Sequence, residues 1–308
     1  MNQLVQKAFQ KIKSLKVQGA TAIAQAVVDY LSQFGQKIDK SEGEKWEKEL
    51  KKIADYLLSA RPTEPMAQNG VKFIFSEFKK RKSQNVKESK ILLKEISRDF
   101  SLATLEANKL IVFHGKQLIK ENNNIFTHCH SSLVEQIFIQ AKKEKNKFQV
   151  YQTETRPLFQ GRITAQNLLK EKIDTTMVVD SSASFLISHN SGKNLMMDKI
   201  ILGADAILPN GSVINKIGSF GIAITAHYEK IPLYVAASLL KYHSKSWIKI
   251  EKRPGKEIWQ KAPQNLKIIN FAFDQIPAEY ITGIICEQGI IKPKEVKNYL
   301  KKIYPFLA

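Results

Sequence analysis

Apolar positions recur at helical spacing through the first 120 residues. From Ala20 to Leu31 one face carries Ala20, Ile23, Ala24, Ala26, Val27, Tyr30 and Leu31, the i, i+3, i+4, i+7 rhythm of an amphipathic helix. Glu44 to Ala60 repeats it with Trp46, Leu50, Ile53, Leu57 and Leu58. Arg61-Pro62-Thr63 then stops the helix, because the residue before a proline is pushed out of the α region. A third amphipathic stretch runs from about Lys87 to Lys120, with Ile91, Leu92, Ile96, Leu102, Leu105, Leu110 and Ile111 on its apolar side. Lys79-Lys80-Arg81-Lys82 reads as a solvated face or turn.

Near residue 121 the rhythm changes. Short β-rich runs alternate with helical stretches: Asn124–His128, Phe148–Thr153, Thr175–Val179, Lys199–Leu202, Leu233–Ala236 and Lys267–Phe271. Strands alternating with helices predict a mostly parallel sheet covered on both faces. The expected class is therefore α/β, with a helical domain over 1–120 followed by an α/β domain over 121–308. In such sheets a ligand sits beyond the carboxyl ends of the strands.

Composition narrows this picture. The chain has 308 residues, of which 43% are hydrophobic, enough for a full core. Apolar runs stay short of the roughly 18–20 residues of a membrane span. The first residues, Met1 to Lys7, lack the apolar segment of a secretory signal. Cys129 and Cys286 are too few and too far apart for a disulfide framework, which makes a reducing cytoplasm the expected location. The net charge of +19 divides almost evenly about residue 120. A charge spread in this way, without aromatic residues interleaved in a basic stripe, argues for solvated lysine-rich faces rather than nucleic-acid binding. It also suits phosphorylated substrates.

Two strings concentrate the chemistry. Thr127-His128-Cys129-His130-Ser131-Ser132 places a cysteine after a strand and before a helix start, where exposed N–H groups favour a thiolate and a phosphate alike. Gly203-Ala204-Asp205 places a carboxylate just past an apolar strand, where partial burial suits general acid work. Asn215 and Lys216 follow the Asn210-Gly211 turn and bring an amide and a cation to the same region. Arg156, after the strand ending at Thr153, and Arg61, before Pro62, are candidates for a phosphate or for a carboxylate partner. Gly19-Ala20-Thr21 opens the first clear helix. His128, Cys129 and His130 alternate in direction on an extended segment, and with no second ligand cluster no metal site is expected. Cys286, inside Ile284-Ile285-Cys286, reads as core.

These motifs, together with Glu154-Thr155-Arg156-Pro157, Gln160-Gly161-Arg162 and Ile214-Asn215-Lys216-Ile217-Gly218, resemble one superfamily. It joins the regulatory subunits of translation initiation factor 2B, the methylthioribose-1-phosphate isomerases and the archaeal-type ribose-1,5-bisphosphate isomerases. The likeness covers nearly all of 121–308 in order and reaches more thinly to Gly19-Ala20 and Arg61-Pro62-Thr63. It implies a Rossmann-like second domain and a homo-oligomer, a dimer or a hexamer. The enzymes of the superfamily use a cysteine and an aspartate that the regulatory subunits typically lack, and this chain has both. His130-Ser131 after the cysteine looks like the ribose-1,5-bisphosphate group, whereas the methylthioribose-1-phosphate enzymes usually carry asparagine there.

The resemblance then implies a sugar-phosphate aldose–ketose isomerase, with Cys129 as proton acceptor and Asp205 as proton donor. It needs neither metal nor cofactor. Phosphate and sugar contacts would fall on Gly19, Ala20, Thr21, Arg61, Ser131, Ser132, Leu133, Asn215, Lys216 and Lys241. Gln18 and Ser132 stand where the group usually has arginine and often has lysine, which removes two positive charges near the expected phosphates. A methylthioribose-1-phosphate isomerase and a non-catalytic regulatory subunit are the alternatives.

Overall fold

The computed structural model describes residues 3–14 and 19–307; Gln18 lies outside them. The chain divides into two compact units. The first comprises Met1–Glu106, Leu240–Ser244 and Leu300–Ala308, the second Ala107–Leu239 and Lys245–Tyr299.

Helices α1 (Gln3–Lys13), α2 (Ala20–Gly35), α3 (Gly43–Ser59) and α4 (Pro65–Arg81) build the first unit with most of α5 (Val86–Lys116). On α2 and α3 the apolar stripes read from the sequence are largely buried: Ile23, Val27 and Leu31, and Trp46, Leu50 and Leu57, are all nearly inaccessible. On α5 only part of the expected stripe is: Leu92, Ile96 and Ile111 are buried, but Ile91, Leu102 and Leu105 are exposed. Helix α4 starts with Pro65 in its first turn, where proline's missing N–H costs nothing. The basic run from Lys79 is its last turn, which complements the negative end of the helix dipole. Gly70 lets α4 approach its neighbours closely, since a Cβ there would lie 3.0 Å from both Phe100 and Val28. Asn69 on α4 donates to the carbonyls of Leu240 (2.8 Å) and Tyr242 (2.7 Å), anchoring that short segment.

The second unit contains β1 (Asn124–Thr127), α6 (Ser132–Lys143), β2 (Gln149–Thr153), α7 (Gln160–Lys170), β3 (Asp174–Val178), α8 (Ala183–Ile187), β4 (Lys199–Leu202), β5 (Ala206–Ile207), β6 (Val213–Lys216), α9 (Ser219–Tyr228), β7 (Leu233–Ala236), β8 (Lys252–Arg253), β9 (Asn270–Phe271), β10 (Phe273–Ile276), β11 (Gly283–Cys286) and β12 (Gly289–Ile291). Helix α10 (Val296–Ile303) follows. Seven strands form the main sheet in the order β12-β11-β7-β4-β1-β2-β3. All pairs are parallel except the β11–β12 hairpin. This is a doubly wound, Rossmann-like sheet. Its inner strands read as continuous apolar runs, such as Ile200-Ile201-Leu202 and Ile284-Ile285-Cys286, because helices cover both faces. Among the described residues no helix is long and apolar enough to cross a membrane.

The predicted strand over Lys267–Phe271 is not formed as such. Only Asn270 and Phe271 pair, with Lys252 and Arg253, in an exposed two-stranded ribbon. The real strands of that region are β10 and β11. Ile268 and Ile269 follow a polar Pro-Gln-Asn turn and lack a sheet neighbour to bury against. Val213–Lys216 also forms a strand, in a small antiparallel sheet of order β10-β6-β5. That sheet sets Asn215 opposite Asp274 and Lys216 opposite Phe273.

Candidate functional site

Strand order in the main sheet reverses between β1 and β4. The chain runs outward from β1 to β2 and β3 on one side, and from β4 to β7 and β11 on the other. The carboxyl ends of two strands at such a switch point form a crevice suited to a ligand. Cys129 stands just past β1, and Asp205 just past β4. The two loops are close: a Cβ on Gly203 would lie 2.8 Å from both Cβ and Oγ of Ser131. Asp205 also acts electrostatically on the Cys129 thiol, as do Lys216 and Asp180. The structure therefore brings Asp205 and Lys216 within electrostatic range of Cys129.

Ser131 is the N-cap of α6; its Oγ accepts from the Val134 N–H at 3.5 Å. Cys129 has φ 68°, a left-handed conformation uncommon for a residue with a Cβ. That turn aims the chain from strand into helix. Its N–H donates to Thr155 Oγ1 at 3.0 Å, and Thr155 is left-handed too, with φ 63°. Sparsely populated backbone of this kind clusters at functional sites.

The sequence reading expected a helix N-terminus to favour the Cys129 thiolate. The opposite holds. Cys129 is only 8% exposed, and burial pushes its thiol up to about 11. Lys216 and the His130 backbone N–H pull it down, while Asp205 and Asp180 push it further up. Loss of hydration outweighs one cation and one amide, so the resting group is a thiol. Cys286 is fully buried in β11 and is pushed up to about 12 by the same desolvation, in keeping with a core cysteine.

The other expected site residues divide by unit. In the second unit, Ser132 is exposed at the start of α6, whereas the Leu133 side chain belongs to the core. Asn215 is buried and donates to Ser219 Oγ at 2.9 Å. The Lys216 ammonium lies 4.9 Å from the Phe273 ring centroid. Arg156 is exposed; its guanidinium donates to the Ile258 carbonyl at 3.0 Å and stacks on Phe159. In the first unit, Gly19 caps α2 with φ 86° and Ala20 and Thr21 open the helix. Arg61 is paired with Glu64 at 2.8 Å, both buried, which realises the carboxylate-partner alternative. Lys241 is buried in a single 3-10 turn.

Two carboxylates that hold turns of this unit, Asp180 and Asp274, had no distinct signal in the sequence. Asp180, past β3, accepts from the backbone N–H groups of Thr155 (2.8 Å) and Arg156 (2.6 Å), holding the turn after β2. Asp274 on β10 accepts from the N–H groups of Gly218 (2.7 Å) and Phe220 (3.1 Å) at the start of α9. Its other oxygen is buried without a hydrogen-bond partner among the described residues, and desolvation pushes its carboxyl up to about 6. The nearest available hint was position: Asp180 follows a strand as Asp205 does. His128 is wholly engaged, with Nδ1 2.5 Å from Thr153 Oγ1 and Nε2 2.9 Å from the Ile217 carbonyl. His130 Nδ1 meets Thr164 Oγ1 at 2.9 Å.

A cysteine, an aspartate and a lysine at neighbouring strand ends can move protons on a bound substrate. Comparison with known proteins narrows that chemistry. The family model described as "Initiation factor 2 subunit family" matches residues 16–293. The chain is 33% identical to a ribose 1,5-bisphosphate isomerase of Methanocaldococcus jannaschii, over 99% of this chain and 96% of that protein. It is 32% identical to a methylthioribose-1-phosphate isomerase of Desulforamulus reducens, over 94% and 88%. The structure of translation initiation factor eIF-2B from Pyrococcus horikoshii OT3 superposes with a TM-score of 0.81 at 25% identity, over 95% of this chain and 98% of that one.

Proposed function

The chain belongs to the initiation factor 2 subunit family, and within it we propose that it is an aldose–ketose isomerase converting ribose 1,5-bisphosphate to ribulose 1,5-bisphosphate. The observation that carries this reading is the placement of Cys129 and Asp205 at the two strand ends of the sheet's switch point, with Lys216 acting on the thiol. Isomerase relatives of both substrate types, at 33% and 32% identity, support the isomerase class.

In the proposed reaction Cys129, as thiolate, takes the proton from carbon 2 of the furanose. The carbon 1–ring oxygen bond breaks as Asp205 delivers a proton to that oxygen. This leaves an enol between carbons 1 and 2, with the phosphate still on carbon 1. Asp205 then takes the proton of the carbon 2 hydroxyl while Cys129 returns its proton to carbon 1, giving the ketone. Protons balance and no redox cofactor or metal enters. A thiol and a carboxylate at neighbouring strand ends suit this exchange of protons.

The start of α6, with Ser131, Ser132 and the Leu133 N–H, offers a phosphate subsite. Asn215 and Lys216 hold the sugar side. Phosphate binding remote from carbon 2 supplies orientation at the reacting atoms.

A second reading, methylthioribose-1-phosphate isomerase, is favoured by the serine at 132, which offers one cation fewer for a second phosphate. A non-catalytic regulatory subunit is disfavoured by the retained Cys129 and Asp205. We further propose a cytoplasmic homo-oligomer, dimer or hexamer, which light scattering would measure.

The deciding experiment incubates purified protein with ribose 1,5-bisphosphate and, separately, with methylthioribose 1-phosphate, and assays each ketose. Ketose from the bisphosphate is expected. Ketose from the methylthio sugar alone would move the assignment to the second reading, and turnover of neither would remove the isomerase proposal.

A further inference from the structure

His128 is buried beside Cys129, and both of its ring nitrogens are engaged. A carbonyl only accepts, so Nε2, 2.9 Å from the Ile217 oxygen, carries the hydrogen. Burial holds the ring neutral by lowering its tendency to protonate. Nδ1 is then a lone pair, and Thr153 Oγ1 must donate to it.

That single assignment orients a whole chain of bonds. With its proton given to His128, Thr153 Oγ1 accepts from Thr155 Oγ1 at 3.3 Å. Thr155 Oγ1 in turn accepts the Cys129 N–H at 3.0 Å. Donation thus runs one way, from the Cys129 amide through Thr155, Thr153 and His128 to Ile217. The ends of this chain are the turn after β1 and the turn after β6. Gly218, with φ 102°, carries the chain on from Ile217 in a conformation that a residue with a Cβ rarely adopts.

Ile217 follows Lys216 directly. The charged groups that bear on the Cys129 thiol are Lys216, Asp205 and Asp180, together with the His130 amide; Lys216 is the one cation among them. Asp180 and Lys216 also act on His128 itself, with opposite signs. The imidazole therefore ties the cysteine's turn to the segment that carries this cation.

We propose that His128 is a positioning residue: in one fixed tautomer it clamps the Asn215–Gly218 segment to the Cys129 turn and so keeps the Lys216 ammonium within electrostatic reach of the thiol. The role matters to the isomerase reading because that reading requires Cys129 to ionise. It is tested on the thiol alone, without substrate, so loss of the isomerase reading leaves it standing.

Two measurements decide it. Nitrogen-15 NMR of the intact protein is expected to show His128 neutral and protonated on Nε2 throughout about pH 6–8. A proton on Nδ1, or ordinary titration in that range, would overturn the proposal. The second measurement is the rate of iodoacetamide alkylation of Cys129, followed by mass spectrometry on its peptide over a pH series. His128→Leu is expected to slow alkylation at a given pH by about three- to tenfold, half a unit to one unit in thiol pKa. His128→Gln keeps an amide donor for Ile217 and is expected to slow it less. In a Lys216→Met background neither change should have a further effect. Alkylation of His128→Leu at or above the parental rate, or an equal slowing with and without Lys216, would sink the idea. If His128→Leu does not fold, His128→Gln with and without Lys216 carries the same comparison.

Discussion

Gly203 passes Ser131 so closely that a β-carbon on it would stand 2.8 Å from the serine's own Cβ and Oγ. Ser131 caps α6 two residues after Cys129, and Gly203 lies two residues before Asp205. The contact sets the spacing between the two strand ends on which the proposed proton transfer would depend. Ser131 cannot swing aside without leaving the α6 N–H group that its Oγ accepts. Gly203→Ala is therefore expected to lower stability by about 1–3 kcal/mol, the cost of overpacking. It should lower kcat more than substrate affinity, since misplaced reacting groups lose rate first. Denaturant unfolding and steady-state kinetics on the same variant would measure both. Parental kcat with an unchanged unfolding midpoint would show the spacing to be unimportant.

Cys129→Ser and Asp205→Asn are each expected to reduce turnover by about a hundred- to ten-thousand-fold, the usual weight of a general acid or base. Both replacements are close in size to the native side chain, so thermal unfolding should move little. Sugar-phosphate binding, measured by calorimetry, should persist. Turnover at the parental rate in either variant would remove that residue from the mechanism.

The buried thiol makes a definite statement about pH. Its pKa is raised to about 11, so at neutral pH the thiolate is a small fraction that grows about tenfold for each unit of pH. The reaction rate at low substrate should climb from neutral into the alkaline range without a plateau near the ordinary cysteine value. Lys216→Met removes the cation that opposes burial and should lower the whole curve. A plateau already present near neutrality would mean that the thiolate is preformed.

Asp274 offers a stability test. Its carboxyl is raised from 3.8 to about 6 by desolvation, against the pull of the Gly218 and Phe220 amides. A carboxyl raised in the folded state favours folding when protonated. That contribution is complete below the unfolded value and is lost as pH rises through about 6. A shift of this size corresponds to about 2–3 kcal/mol. Asp274→Asn stays neutral at every pH while its carbonyl can still accept from both amides. Its stability relative to the parent is expected to improve between about pH 4 and pH 7, as followed by urea unfolding. An unchanged difference across that range would mean that Asp274 ionises in the fold as readily as in the unfolded chain.

Much of this architecture was legible in the residues alone. Helices α2 and α3 and strands β1, β2, β4 and β7 follow from the local period of apolar positions, because each buries a face that its own spacing defines; α5 was also legible as a helix, but Ile91, Leu102 and Leu105 of its expected apolar face stay exposed. The same local reading placed Cys129 and Asp205 past two strands, and the order of motifs pointed to the family. It missed α4, whose apolar and polar positions are mixed by packing on several sides, and it put a strand over 267–271, where only Asn270 and Phe271 pair, in a two-stranded ribbon.

Order across the sheet was out of reach, since β1 and β4 become neighbours only through parallel pairing of segments some seventy residues apart. So was the state of the cysteine: a helix start argues for a thiolate, but how much water the fold leaves around it decides, and the fold leaves almost none. Apolar periodicity is a local property and needs no partner to be read. Adjacency of strand ends, desolvation and the tautomer of His128 depend on which distant groups the completed sheet brings into contact, and only the tertiary structure decides them.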